Sequence, residues 1–144
     1  MSNAFKLKIS HVSFVNLGCF DDSPDGILFI AEAEKNIPFK IKRVFFINSL
    51  GKQQAIRGKH AHKQGEQIIF CISGSFDLVL DDGEQRQKFG LEKSALGFKI
   101  GPLVWLTMKN FSPDCVILVL ANTYYQEEDY IRDYQQFLKI VQQK

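Results

Sequence analysis

A chain of 144 residues, 45% apolar and 24% charged, suits one domain burying about two-thirds of the surface its unfolded form exposes, with no need for disulfides or a structural metal. A formal charge of +2, spread along the chain, excludes the electrostatic footprint of a nucleic-acid binder. The longest wholly apolar run, residues 115–121, is too short to span a bilayer and no charged-then-apolar leader opens the chain, so a cytoplasmic protein with no membrane partner is expected.

Met1-Ser2-Asn3-Ala4 reads as an expression-derived or disordered start, which leaves 5–144 as the single domain. Residues 5–15, 27–33 and 40–47 have the apolar content of strands. They are separated by the turn-rich Asp21-Asp22-Ser23-Pro24-Asp25-Gly26 and by Asn36-Ile37-Pro38. Further strands follow at 67–73, 75–80, 86–91, 98–100, 104–109 and 115–120. In the stretch 76–80, Phe76, Leu78 and Leu80 share one face, and Asp81-Asp82-Gly83-Glu84 supplies a hairpin turn.

Short strands recurring about every 8 to 12 residues argue for an all-β sandwich or jelly-roll barrel. Only the end changes period: Tyr130, Ile131, Tyr134, Phe137, Leu138 and Val141 predict one amphipathic helix, preceded by Glu127, Glu128 and Asp129 and closed by Lys139 and Lys144. Cys19, Cys71 and Cys115 are odd in number and never spaced as C-x-x-C, and are read as reduced core residues.

Of the three histidines, His11 stands alone and reads as structural. His60 and His62 lie two apart, so in a strand both imidazoles point to one face, flanked by Arg57 and Lys63. Three readings of the pair compete. It is a solvated strand face; or it is a metal site completed by Glu66 as a facial triad; or it is a metal-free acid-base pair. Gly58 favours a site, because glycine near a strand marks close approach of a ligand or backbone. Against the metal, residues 101–107 contain no histidine to complete a four-ligand set.

The chain resembles the cupin 3,4-ketoisomerases that act on dTDP-4-keto-6-deoxyglucose, grouped with the WxcM-like sugar-nucleotide proteins. The resemblance runs from about Gly26 to Val141. Its strongest parts are residues 36–39 and 41–44, Arg57-Gly58-Lys59-His60-Ala61-His62-Lys63, Gly101-Pro102 with Trp105, and Asp129-Tyr130-Ile131-Arg132-Asp133-Tyr134.

The resemblance implies a single-domain cupin, a double-stranded β-helix or jelly-roll barrel with a short C-terminal helix. It implies His60 and His62 as catalytic residues with Arg57 in their pocket, no metal and no cofactor. It further implies a homodimer with exchanged N-terminal strands, and a 3-keto product used in making deoxyamino sugars for surface glycans. A dTDP-linked sugar would be held by arginine forks and an aromatic slot, for which Arg43, Arg57 and Trp105 are candidates, with Gln67 on the sugar.

Departures from the pattern are Asp25 and Leu106 at the sugar end, and Phe45 and Phe46 where tyrosines are common. Besides the metal-dependent enzyme using His60, His62 and Glu66, the remaining alternative is a non-catalytic nucleotide-sugar binding module.

Overall fold

The computed structural model describes residues 6–52 and 54–143. Two five-stranded antiparallel sheets pack face to face. The first has the order β1-β9-β6-β11-β4 and consists of β1 (Val12–Asn16), β9 (Leu96–Ile100), β6 (Gln67–Ser73), β11 (Val116–Ala121) and β4 (Arg43–Ile47). The second, β12-β5-β10-β7-β8, consists of β12 (Tyr130–Ile131), β5 (Ile56–His62), β10 (Trp105–Lys109), β7 (Ser75–Asp81) and β8 (Arg86–Glu92). A separate hairpin joins β2 (Gly18–Asp21) to β3 (Ile27–Ile30). Among the described strands no ladder connects the two sheets, so the jelly roll expected from the sequence takes the form of an open two-sheet sandwich.

The alternation in β7 sends Phe76, Leu78 and Leu80 into the space between the sheets, where they meet Ile69, Phe98, Ile117 and Val119 from the opposite sheet. Each such side chain contributes about 1.5–3 kcal/mol by leaving water. Strand β6 is buried on both faces. Ile69 and Cys71 join this inner core, while Ile68 and Phe70 join Val15, Leu17, Ile37 and Leu120 on the outer side. That explains its unbroken apolar run.

Several elements differ from their predicted spans for local reasons. Of the described residues in the predicted span 5–15 only 12–15 are in β1, which runs on to Asn16; residue 5 and Lys144 lie outside the described residues. Strand β3 stops at Ile30 because the Asn36 amide donates to the Ile30 carbonyl at 2.8 Å and accepts from the Glu32 N–H at 2.8 Å, turning the chain into a loop. The C-terminal helix α1 spans Tyr134–Gln142, not from 130. Asp133 caps it by accepting the Gln136 N–H at 2.9 Å, while Tyr130 and Ile131 are extended and pair with His62 and Ala61. Glu127–Asp129 forms a 3-10 turn of its own.

Cys71 and Cys115 are buried as expected, and burial pushes the Cys115 thiol up to about 12. Cys19 is exposed, which corrects its core assignment: the β2–β3 hairpin stands off the sandwich and buries little of either face. No described helix is long and apolar enough to cross a membrane.

Candidate active site

The site begins with an irregularity in β5. Along β10, Leu106 faces His60, Thr107 faces Gly58 and Met108 faces Arg57, so Lys59 is an extra residue with no counterpart. This is a β-bulge, and Gly58 (φ +85) and Lys59 (φ 59) both have left-handed backbone. A Cβ at Gly58 would lie 2.9 Å from the Leu106 carbonyl oxygen and 2.8 Å from its Cδ1, so only glycine allows this approach. The bulge has a chemical consequence. Arg57 is three residues from His60 and in a regular strand would point to the opposite face, but the extra residue restores it to the same face.

Arg57, Gly58 and His60 therefore line one cavity of about 220 Å³ between the sheets. Leu106 and Met108 complete that wall. Phe45, Ile47, Gln67, Ile69 and Val119 form the opposite one, and Tyr130 and Arg132 stand at its edge. The volume is below the roughly 300–1,000 Å³ usual for drug-sized ligands.

His60 and His62 lie with ring centroids 5.0 Å apart and planes perpendicular. The Tyr130 ring covers both, 4.9 Å from His60 and 4.5 Å from His62. His62 is only 4% exposed and sits one layer behind the cavity wall. Its Nδ1 is 3.1 Å from Asp129 Oδ2, and its Nε2 is buried with no hydrogen-bond partner among the described residues.

Electrostatics keeps both rings neutral near pH 7. Burial, then the charge of His62, lowers His60 to about 4, opposed by a hydrogen bond with the Gly58 backbone. Burial also lowers His62, but there the hydrogen bond and charge of Asp129 pull the other way. Two neutral imidazoles beside a cavity can each accept a proton and return it.

Of the other residues singled out in the sequence, Gln67 is buried and lines the cavity. Arg43 lies beside it, its guanidinium carbon 5.5 Å from the Phe45 ring and 5.9 Å from the Tyr125 ring, with a buried Nε that lacks a partner among the described residues. Trp105 does not line the cavity. Because Leu106 and Met108 face inward, Trp105 faces out, packed on Tyr134 (5.3 Å) and Phe137 (5.6 Å) of α1, so core packing replaces the expected nucleotide slot.

Glu66 is likewise turned away, ion-paired with Lys99 at 3.0 Å in a separate shallow groove with His11, so it does not complete a ligand set with the histidines. No group of three potential metal ligands occurs among the described residues. Phe45 lines the cavity while Phe46 is exposed on the outer face, so only the former's missing hydroxyl bears on the site. Leu106 lies in the wall, whereas Asp25 belongs to the β2–β3 turn, donating its N–H to the Asp22 carbonyl.

Tyr130 and Arg132 were not expected as site residues. In a helix they would be 200° apart; in extended chain they share a side, and Ile131 between them turns into the core with Phe137. The Arg132 guanidinium lies 4.5 Å over the Tyr130 ring and makes a two-pronged ion pair with Glu127 at 2.8 and 3.0 Å.

The chain belongs to the FdtA family (WxcM-like, C-terminal), whose family model matches residues 10–142. Among known relatives, TDP-4-oxo-6-deoxy-alpha-D-glucose-3,4-oxoisomerase of Aneurinibacillus thermoaerophilus is 48% identical over 116 residues, 81% of this chain and 83% of its own. Among solved structures, a mutant of the 3,4-ketoisomerase QdtA of Thermoanaerobacterium thermosaccharolyticum, in complex with TDP-4-keto-6-deoxyglucose, superposes with a TM-score of 0.90. It is 34% identical, with coverage of 94% of this chain and 97% of the other. The WlaRB TDP-quinovose 3,4-ketoisomerase of Campylobacter jejuni is 40% identical, with a TM-score of 0.84 and coverage of 91% and 99%. The NovW 4-keto-6-deoxy sugar epimerase of Streptomyces spheroides, at 13% identity and a TM-score of 0.70 over 87% of this chain and 70% of its own, shares the fold.

Proposed function

We propose that this protein is a sugar-nucleotide 3,4-ketoisomerase that moves the keto group of a TDP-4-keto-6-deoxyhexose from C4 to C3. The observation that carries the reading is the convergence of His60 and Arg57 on one cavity wall through the β5 bulge, with His62 directly behind. In a family whose relatives act on such substrates, these are the groups the chemistry needs.

The hydrogen on C3 is acidic because the neighbouring C4 carbonyl can take up the electron pair. One imidazole removes that proton, the C3–C4 bond becomes double, and O4 gains a proton, giving an enediol. Loss of the O3 proton and delivery of a proton to C4 then leave the carbonyl at C3. No atom is gained or lost, and no redox partner is required. Imidazoles that are unprotonated near pH 7 are free to take up a proton and release it again.

The apolar residues Phe45, Ile47, Ile69 and Val119 accept the methyl-bearing edge of a 6-deoxy sugar. Gln67 supplies hydrogen bonds to its hydroxyls, and Arg57, Arg43 and Arg132 meet the diphosphate at the mouth. The enzyme works in the cytoplasm as a homodimer that exchanges N-terminal segments, feeding the synthesis of deoxyamino sugars for surface glycans. In support of the dimer, Phe20, Ile27 and Leu28 of the β2–β3 hairpin and Val44 and Phe46 of β4 are each at least half exposed, an apolar surface that a second copy would cover.

The test is NMR of TDP-4-keto-6-deoxyglucose with the metal-stripped protein in deuterated water. Appearance of the 3-keto sugar is the expected result, and retained deuterium at C4 reports the solvent-exchanged proton. Folded protein that gives no conversion refutes the substrate assignment.

A further inference from the structure

Asp129 is the acidic residue built most firmly into this region, and nothing in the proposed reaction calls on it directly. It ends the 3-10 turn Glu127–Asp129, and every contact of its carboxylate is with a donor. Oδ1 accepts the Gln64 N–H at 2.8 Å; Oδ2 accepts the Gly65 N–H at 3.1 Å and lies 3.1 Å from His62 Nδ1. The backbone is stitched to the same place, since the Asp129 carbonyl accepts the Lys63 N–H at 2.8 Å. Gly65 makes the fit possible: a Cβ there would lie 2.7 Å from Asp129 Oδ2 and 3.2 Å from Thr123 Oγ1. The residue is glycine because a carboxylate occupies the space of its side chain.

An oxygen that already accepts a backbone N–H presents a lone pair, not a proton, to the imidazole, so the hydrogen of this contact belongs to Nδ1. A neutral ring carries one N–H, so Nε2 is left as the lone pair. Nε2 is the buried nitrogen with no partner among the described residues, and such an atom is rare unless a ligand or a reaction uses it.

We infer that Asp129, seated against Gly65, is a positioning residue that fixes His62 as its Nδ1–H tautomer and so makes Nε2 the atom through which His62 accepts a proton. When Nε2 takes that proton the ring becomes imidazolium, and its new charge lies beside the carboxylate; when the proton leaves, the same tautomer returns. This deepens the proposed isomerase reading and rests on it for its functional meaning, but the tautomer itself can be measured without substrate.

The experiment is long-range proton–nitrogen NMR on histidine-labelled full-length protein at neutral pH, for the unaltered protein, Asp129→Asn and Gly65→Ala, with steady-state kinetics on TDP-4-keto-6-deoxyglucose alongside. With its side-chain oxygen in the Oδ1 place, Asn still accepts the Gln64 N–H, gives up the Gly65 N–H bond, and puts its NH₂ in the Oδ2 place facing Nδ1, so that Nδ1 becomes the acceptor and the hydrogen moves to Nε2. The expected spectra show the Nδ1–H form in the unaltered protein and the Nε2–H form in Asp129→Asn.

In the same variant kcat is expected to fall by roughly 10²- to 10⁴-fold, by analogy with the tautomer loss seen when a triad aspartate becomes asparagine, with KM changed less than about threefold. Gly65→Ala keeps the carboxyl group but displaces it, and should show mixed tautomers and a smaller loss in kcat; it also serves if Asp129→Asn fails to fold. An Nε2–H tautomer in the unaltered protein overturns the inference, as does an unaltered tautomer with full kcat in the variants. The expected tautomers in protein that never turns over substrate uphold the positioning role and refute the substrate assignment instead.

Discussion

The neutral state of His60 ties the stability of the protein to pH. Its proton affinity falls from the ordinary 6.5 to about 4 on folding, chiefly through burial. The unfolded chain therefore binds more protons than the folded one between those values, so stability is complete above pH 6.5 and is lost as pH falls toward 4. The full difference amounts to at most about 3 kcal/mol, of which about 1.4 kcal/mol is gone at pH 5.5 and about 2.5 kcal/mol at pH 4.5.

The substitution His60→Gln removes the titrating group while keeping a polar side chain of similar reach. The assay is urea unfolding of both proteins from pH 7.5 to 4.5, plotted as the difference in unfolding free energy. Carboxylates such as Asp82 and Asp21, lowered by backbone and side-chain hydrogen bonds, cancel in that difference because both proteins carry them. The variant should gain on the unaltered protein by about 1–3 kcal/mol across the interval. Parallel curves would refute the electrostatic description of the site.

Gly58→Ala should cost about 2–4 kcal/mol, since it adds a left-handed non-glycine residue to a steric conflict with Leu106, and thermal melting checks it. Arg57→Met should raise KM for the nucleotide sugar tenfold or more while leaving the melting temperature nearly unchanged, because the side chain is exposed on the cavity wall and no ion pair or side-chain hydrogen bond holds it among the described residues. Glu127→Gln frees the Arg132 guanidinium from its ion pair and should tighten TDP binding about two- to fivefold by calorimetry, in keeping with the modest worth of an exposed pair. Trp105→Leu should lower stability by about 2–4 kcal/mol while kcat/KM per folded molecule stays within about threefold, the reverse of what a nucleotide slot requires.

The sheets were legible in the sequence because their signals are local. Phe76, Leu78 and Leu80 alternate, residues 81–84 carry turn chemistry, and the apolar run of β6 follows from its burial on two faces. The shared face of His60 and His62 was legible for the same reason. What could not be read was anything set by pairing between distant strands. The bulge that returns Arg57 to the cavity depends on the register of β5 against β10, and Gly58 hinted at it without fixing which residue is extra. Tyr130 and Arg132 were hidden by a stronger pattern, the helical spacing of the apolar residues from 130 to 141, which tertiary pairing of β12 with β5 overrides. Trp105 and Glu66 were misplaced through parity: residues beside inward-facing Leu106 and Gln67 turn away.

The same register explains how adjacent histidines acquire different proton affinities. β12 lies against the end of β5 with Tyr130 opposite His62, and Asp129, one residue earlier, thereby reaches the inner imidazole. His60, two residues back along β5, has no carboxylate in hydrogen-bond contact, and the charges of His62, Arg132 and Arg43 disfavour its protonation, while that of Glu127 acts the other way. The hydrogen bond and charge of Asp129 offset part of the burial penalty for a proton on His62, a help that His60 lacks, and a second proton on the pair is resisted by the first. In the proposed reaction the pair would then hold one proton, on His62 next to its carboxylate, while His60 on the cavity wall stays neutral. A reaction that removes a proton from one carbon and returns one to its neighbour needs no larger capacity.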